Sequence, residues 1–257
     1  MSASLLFSKV YYSKVEPFEL QNISSNVSGM ITYTADSKVG QKLGSRAFIK
    51  IDSELDKVEL KSLEEKIEYV SSTLQASEEI LKNLNATLLK KRENYKTVES
   101  LSVKSRLEKD REYYDLIATE NSYLNTQKEI NNLKVQLADL YTRQAQLKRN
   151  LKDKAVSAKG MVLYSIAVKA GQVVTMATPL AQVADLSHGR LIIYLDYEDV
   201  EKAEKLVVYI DGQKTDYRVS RILNIADSKN ISKYRAEIII DAPAVFSKLV
   251  KVELKDA

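Results

Sequence analysis

From Leu60 to Val98 the sequence repeats with a step that suits one long helix. Leu60, Leu63, Ile67, Val70, Leu74, Ser77, Leu81, Leu84, Leu88, Lys91, Tyr95 and Val98 are separated alternately by three and four residues. Heptad spacing of this kind puts all of them on one helical stripe and argues for a coiled coil. Only Ser77 and Lys91 are out of character. One helix cannot hide that stripe alone, so a second must pack on it. The seam stops near Val98, and Glu99-Ser100-Leu101-Ser102-Val103-Lys104 holds poor helix formers. Ser105-Arg106-Leu107-Glu108 then has the Ser-x-x-Glu form of a capping box, and Ser53-Glu54-Leu55-Asp56 offers a capping start for the first helix. The second helix is expected to present Leu107, Tyr114, Ile117 and Leu124. After a slip of phase it continues as Ile130, Leu133, Leu137, Leu140, Gln144, Leu147 and Leu151. Such a slip resembles a stammer. The pattern predicts an antiparallel α-helical hairpin over 53–154, with arms of ~45 residues reaching roughly 65–70 Å.

The hairpin interrupts a repeat. GMITYTADSKVGQ begins at Gly29 and GMVLYSIAVKAGQ at Gly160, about 131 residues further on. Gly, Met, Tyr, Lys, Gly and Gln recur at the same relative positions, the self-similarity of two related structural units. Apolar positions correspond as well: Leu43 with Val174, Phe48 with Leu180, Ile51 with Val183. A glycine at a fixed place in a short strand marks a turn or a close backbone approach. Here those glycines are Gly29 and Gly40, matched by Gly160 and Gly171. Two half-units of ~30 residues are each too small to hold a core. Packed together they form one sandwich with pseudo-twofold symmetry, 23–52 with 155–186, and the helical insert leaves and re-enters between them.

The flanks read as strands. Residues 1–22 form an extended N-terminal segment, with Pro17 marking an edge strand or a bend. In 187–257, Leu191–Leu195, Arg221–Ile225, Tyr234–Ile240 and Leu249–Leu254 are strand-like, and Glu198–Lys205 suits a short helix. Leu206–Ile210, Asp211-Gly212 and Tyr217–Val219 read as a tight hairpin. Several short strands in ~65 residues suggest a small antiparallel β-barrel.

Composition removes several functions. The chain has no Cys and one His, which excludes disulfides, thiolate metal sites and a His-ligated metal centre. That residue, His188, sits in Asp185-Leu186-Ser187-His188-Gly189, which reads as a surface turn and not as a catalytic setting. Lys and Arg (39) are interspersed with Asp and Glu (35), a net charge of +4, so the clustered basic charge that binds nucleic acid is missing. No phosphate-cradling glycine loop and no catalytic constellation is present, so no catalytic residue, cofactor or metal is expected. No run approaches the ~18 apolar residues of a membrane span. The opening MSASLLFSKV lacks the basic n-region of a secretory signal, so no targeting or anchoring segment is evident.

In this order of elements the sequence resembles the HlyD-type periplasmic adaptors, also called membrane fusion proteins. Ile23-Ser24-Ser25-Asn26-Val27-Ser28-Gly29-Met30-Ile31 and Phe48-Ile49-Lys50-Ile51-Asp52 match the first lipoyl-like (biotinyl-lipoyl-like) half. Gly160-Met161-Val162, Val168–Val174 and Pro179–Asp185 match the second, and Tyr197-Glu198-Asp199-Val200 resembles the barrel's short helix. The resemblance implies an elongated α+β protein: a lipoyl-like sandwich, a helical hairpin inserted in it, and a C-terminal β-barrel. Two glycines of the family pattern are missing, one where Ala177 stands and one near Ser247–Val250. It also implies a non-enzymatic role in efflux or type I secretion, in the periplasm and associated with the inner membrane. The partners would be a TolC-type outer-membrane channel and an inner-membrane transporter of RND or ABC type, with self-association as a trimer or hexamer. The hairpin tip would dock the channel through Val98, Leu101, Ser102, Ser105 and Arg106. In the family, docking involves an Arg, a Leu and a Ser. Ser105 matches the Ser, Val98 stands for the Leu, and the Arg position falls at Asn94, with Arg92 and Arg106 nearby. Ser105 is equally a helix cap. Two alternatives remain: a coiled-coil scaffold with no transport role, and a biotin or lipoyl carrier, which needs a Lys at a hairpin tip where this chain has Lys50 inside a strand.

Overall fold

The computed structural model describes residues 9–226, 230 and 232–256. The first eight residues of the expected N-terminal segment therefore lie outside the described residues. The chain divides into two compact units, a helical one (Ser53–Lys154) and a β unit formed by the rest. The elements are β1 (Lys9–Lys14), β2 (Glu16–Ser24), β3 (Gly29–Thr34), β4 (Ile49–Ile51), α1 (Glu54–Ser100), α2 (Arg106–Asp153), β5 (Ala155–Val156), β6 (Val162–Ile166), β7 (Val173–Val174), β8 (Pro179–Leu195), α3 (Tyr197–Ala203), β9 (Val207–Ile210), β10 (Gln213–Lys214), β11 (Arg221–Ala226), β12 (Tyr234–Asp241) and β13 (Leu249–Lys255).

The helical unit is an antiparallel hairpin. α1 has 47 residues and α2 48, about 70 Å each at 1.5 Å per residue. Every position of the α1 seam from Leu60 to Val98 is buried or half-buried, Ser77 and Lys91 included. Ser53 occupies the N-cap of α1 but its side chain makes no capping bond, contrary to the expected capping start.

α2 departs further from its sequence reading. Leu107, Tyr114 and Leu124 face solvent, 80, 69 and 53% exposed. No phase slip occurs. The inward positions run without a break through Lys109, Glu112, Leu116, Thr119, Tyr123, Thr126, Ile130, Leu133, Leu137, Leu140, Gln144, Leu147 and Leu151. The stammer was an effect of following apolar residues that lie on the outer face. The contiguous apolar cluster of the hairpin lies at its base: Leu63, Ile67, Leu137 and Leu147, flanked by Leu60, Val70, Leu74 and Leu140; Leu88, Leu116 and Ile130 are buried outside it. Cross-helix ion pairs line its sides, Lys134–Glu78 at 3.0 Å and Lys148–Glu64 at 3.3 Å, with Arg143–Glu59 and Lys154–Asp56 in addition.

In the β unit the repeated phrases meet reciprocally. Gly40 N–H donates to Leu163 O (2.8 Å) and Leu163 N–H to Gln41 O (3.1 Å). In the other half, Gly171 N–H donates to Ile31 O and Ile31 N–H to Gln172 O, both at 2.8 Å. Each Gly-Gln turn thus pairs with the first strand of the opposite half. Gly40 and Gly171 take φ of 82° and 88°, where a side chain is disfavoured. The first glycines of the two phrases serve different ends. A Cβ on Gly29 would stand 2.7 Å from Ile51 Cγ2, whereas Gly160 faces open space. Leu43 and Val174, Phe48 and Leu180, Ile51 and Val183 are all buried in the shared core. Strand order around it is β5-β4-β3-β7, with β6 pairing β8.

A second core fills the barrel: Val15, Leu191, Ile193, Leu195, Val208, Ile238, Val252 and neighbours. The antiparallel sheets β1-β13-β9-β10 and β11-β12-β8-β2 supply it. β8 serves both cores, with Leu180 and Val183 in one and Leu191, Ile193 and Leu195 in the other. It runs unbroken through 185–189, so His188 lies in a strand opposite Asp241 and not in a turn. Pro17 sits in β2, an edge strand, beside a register shift, where its missing N–H is harmless. Asp211 (φ 50°) and Gly212 (φ 83°) make the expected tight turn, but the return strand is only Gln213–Lys214. The Thr215 N–H and hydroxyl both close onto Val208 O, and the Tyr217 hydroxyl donates to Asp241 (3.0 Å), drawing 217–219 towards the other sheet.

Candidate docking site at the hairpin tip

The five tip residues singled out in the sequence fall together where α1 turns into α2. Val98 is half-buried in the last turn of α1, and Leu101 and Ser102 lie in the connecting turn. Ser105 is the N-cap of α2, and Arg106 begins the helix with its side chain 96% exposed.

The turn is fixed by polar groups. Ser105 Oγ accepts from Glu108 N–H (3.3 Å), and the Glu108 carboxylate accepts from Ser105 N–H (2.9 Å) and from the Ser105 hydroxyl (3.0 Å). This is the reciprocal capping box read from the sequence. Lys104 adds an ion pair to Glu108 at 3.0 Å. Donation from the Ser105 amide, followed by Lys104 and the Ser105 hydroxyl, lowers the Glu108 carboxyl from 4.5 to about 2. At the facing end, Lys109 Nζ donates to Glu99 O (2.8 Å), placing a cation at the C-terminus of α1, where the helix dipole favours it. Behind the turn, the Tyr95 and Tyr113 rings meet in a tilted contact at 5.6 Å, Arg92 pairs with Glu120 at 2.7 Å, and Lys91 pairs with Asp115.

Three apolar side chains project from this polar frame: Leu101, Val103 (92% exposed) and Leu107. Val103 was not singled out in the sequence and Leu107 was assigned to the seam. A capped turn that exposes three aliphatic side chains beside Arg106 is suited to binding a surface with apolar hollows and a hydrogen-bond acceptor. Asn94, the expected Arg position, is exposed on α1, and Arg92 is engaged by Glu120. Lys50 lies in the middle of β4, paired with Tyr33 and Ala155, and not at a hairpin tip. Among the described residues no helix is long and apolar enough to cross a membrane.

No protein-family model matches the sequence, and no curated protein sequence matches it. Solved structures do. MacA from Actinobacillus actinomycetemcomitans superposes with a TM-score of 0.75 at 17% identity, covering 98% of this chain and 79% of that one. A MacA–MexA chimera carrying the Pseudomonas aeruginosa MexA α-hairpin domain gives 0.55 at 18% identity, covering 98% and 82%. The membrane fusion protein Spr0693 from Streptococcus pneumoniae R6 gives 0.61 at 12% identity, covering 97% and 99%. At these identities the likeness is one of architecture. The chain has the fold of a membrane fusion protein: a sandwich of two lipoyl-like halves, a helical hairpin inserted between them, and a small β-barrel.

Proposed function

We propose that this chain is a periplasmic adaptor subunit that joins an inner-membrane transporter to a TolC-type outer-membrane channel for efflux or secretion. One observation carries the reading: the two halves of a single β-sandwich are split by a hairpin whose capped turn exposes Leu101, Val103, Leu107 and Arg106. The shared fold with a solved membrane fusion protein supports it. In this reading the tip, with Val98, Leu101, Ser102, Ser105 and Arg106, docks on the channel. The β unit packs against the transporter, of RND or ABC type, and against further copies of the chain in a trimer or hexamer. The protein works without catalysis, in the periplasm at the inner membrane. Lys50, held in a strand, does not suit a carrier of biotin or lipoate.

The chain has no Cys, so a single introduced cysteine gives an unambiguous crosslink. Leu101→Cys and Ser102→Cys, tested in cells that hold the channel, are expected to crosslink to it, and Lys214→Cys in the β unit is not. If tip positions never reach the channel while Lys214→Cys does, the docking polarity is wrong. If neither does, while the chain still forms homotypic crosslinks, the scaffold reading replaces the adaptor.

A further inference from the structure

We propose that the β unit holds a binding site for an organic anion with two or more negative charges and an apolar body, in the cavity beside the loop 42–48. This cavity encloses about 640 Å³, within the usual range for small-molecule sites. Four cations line it, Lys38, Lys42, Arg46 and Lys50, and no carboxylate does. Among the described residues none of the four has an ion-pair partner. Lys38 donates to Gln41 Oε1 at 3.1 Å, and Lys50 Nζ stands 5.8 Å from the centre of the Tyr33 ring. Asp36, two residues before Lys38, is taken by Lys169 at 2.6 Å and by the Thr34 hydroxyl. Asp185 senses the Lys42 charge but forms no ion pair with it.

Along the hairpin, cations such as Lys134 and Lys148 face carboxylates on the opposite helix; around this cavity the lining supplies cations without an acid. Four cations around one hollow, with no acid among the lining residues, favour a negatively charged occupant. A bound polyanion gains charge-assisted hydrogen bonds. The loop adds donors of its own: among the described residues the amides of Gly44, Ser45, Arg46 and Ala47 have no acceptor. Successive free amides of this kind form anion-binding concavities. The apolar part of the ligand is set by the floor, where Leu43 and Phe48 lie under the opening. An aryl or alkyl phosphate satisfies both demands; bare phosphate leaves the floor uncovered and a neutral arene leaves the cations unanswered. All these residues belong to the β unit, so the site stands or falls apart from any docking at the hairpin tip.

The test is calorimetric titration of the full chain with 1-naphthyl phosphate, inorganic phosphate and 1-naphthol at low salt. We expect 1-naphthyl phosphate to bind at least tenfold more tightly than either of the others, and to weaken as salt rises. Lys42→Gln with Arg46→Gln should lower its affinity at least tenfold. Lys214→Gln, outside the cavity, should leave it unchanged. Both side chains are exposed, so the melting temperature of the double variant is expected to match the parent and to report that the fold is intact. Equal binding of 1-naphthol, equal binding of inorganic phosphate, no binding of 1-naphthyl phosphate, or indifference to the double substitution would each overturn the proposal.

Discussion

The base and the tip of the hairpin are made by the same two helices in one unbroken register, yet they are held by different forces. At the base both helices bring Leu, Ile and Val to the seam, and Leu63, Ile67, Leu137 and Leu147 form a buried cluster. Towards the tip α1 still offers Leu81, Leu84 and Leu88, but α2 answers with Lys109, Glu112, Thr119, Tyr123 and Thr126, and with Leu116 as its one aliphatic seam residue. Each buried Leu or Ile contributes about 1.5–3 kcal/mol. An exposed ion pair such as Arg92–Glu120 contributes about 0–1 kcal/mol. Heptad geometry therefore extends further than the hydrophobic stabilisation that usually accompanies it. Local opening is expected to begin at the tip, where an adaptor would meet its channel.

The sharpest attack on this contrast is truncation at matched seam positions. Leu137→Ala should cost about 2–5 kcal/mol, because it empties a site enclosed by other aliphatics. Leu116→Ala should cost about 1–2 kcal/mol, since fewer apolar neighbours surround the removed atoms. Urea unfolding followed by the helical circular dichroism signal measures both. Equal losses would mean that the tip is as well packed as the base.

The capping box tests the tip on its own. Ser105→Ala removes the acceptor for Glu108 N–H and should cost about 1 kcal/mol. Amide exchange should quicken in the first turn of α2 and stay unchanged near Leu137. Acid should act in the same place. Because the Glu108 carboxyl is lowered from 4.5 to about 2, its stabilising effect is complete above about pH 4.5 and is lost as the pH falls towards about 2. Exchange in the first turn of α2 should therefore rise across that interval, and Glu108→Gln should flatten the rise. A rise of the same size in the Glu108→Gln variant would assign it to other carboxylates.

How much of this was legible follows from where apolar residues happen to stand. The α1 seam was readable because nearly every inward position is apolar. In the tip half of α2, Leu107, Tyr114 and Leu124 carry an apolar spacing that points outward, while the true seam is polar and gives no hydrophobic period. A usable signal was present in the base half: stepping back from Ile130 by alternating fours and threes gives 126, 123, 119, 116, 112 and 109, every one of them inward. The capping box at Ser105 was readable from four residues because it is a local device. Val103 was not, since exposure in a turn has no local signature. The cavity was hidden for a different reason. Lys38, Lys42, Arg46 and Lys50 look interspersed along the chain, and only the fold brings them round one cavity.

The β unit supplies the smallest effect and a control for the hairpin. Ala177 stands where the pattern this sequence resembles has glycine, Ser247 lies at the edge of the stretch where it has another, and both adopt the left-handed backbone that glycine favours, at φ 65° and φ 68°. For a residue with a Cβ that conformation costs roughly 1–2 kcal/mol. Replacing it by Gly returns about 0.4–1 kcal/mol through the greater freedom of the unfolded chain. Ala177→Gly should thus stabilise the β unit by a net ~0.5 kcal/mol. Ala177 N–H donates to Ser25 O at 2.8 Å, a bond that Gly retains. The gain should appear as slower amide exchange in the strands of the β unit and leave urea unfolding of the helices as it was. A loss of stability would mean that the Ala177 methyl makes contacts worth more than the strain. A matching shift in the helical transition would mean that the two units unfold together, and the separate treatment of base and tip would then have to include the sandwich from which both helices emerge.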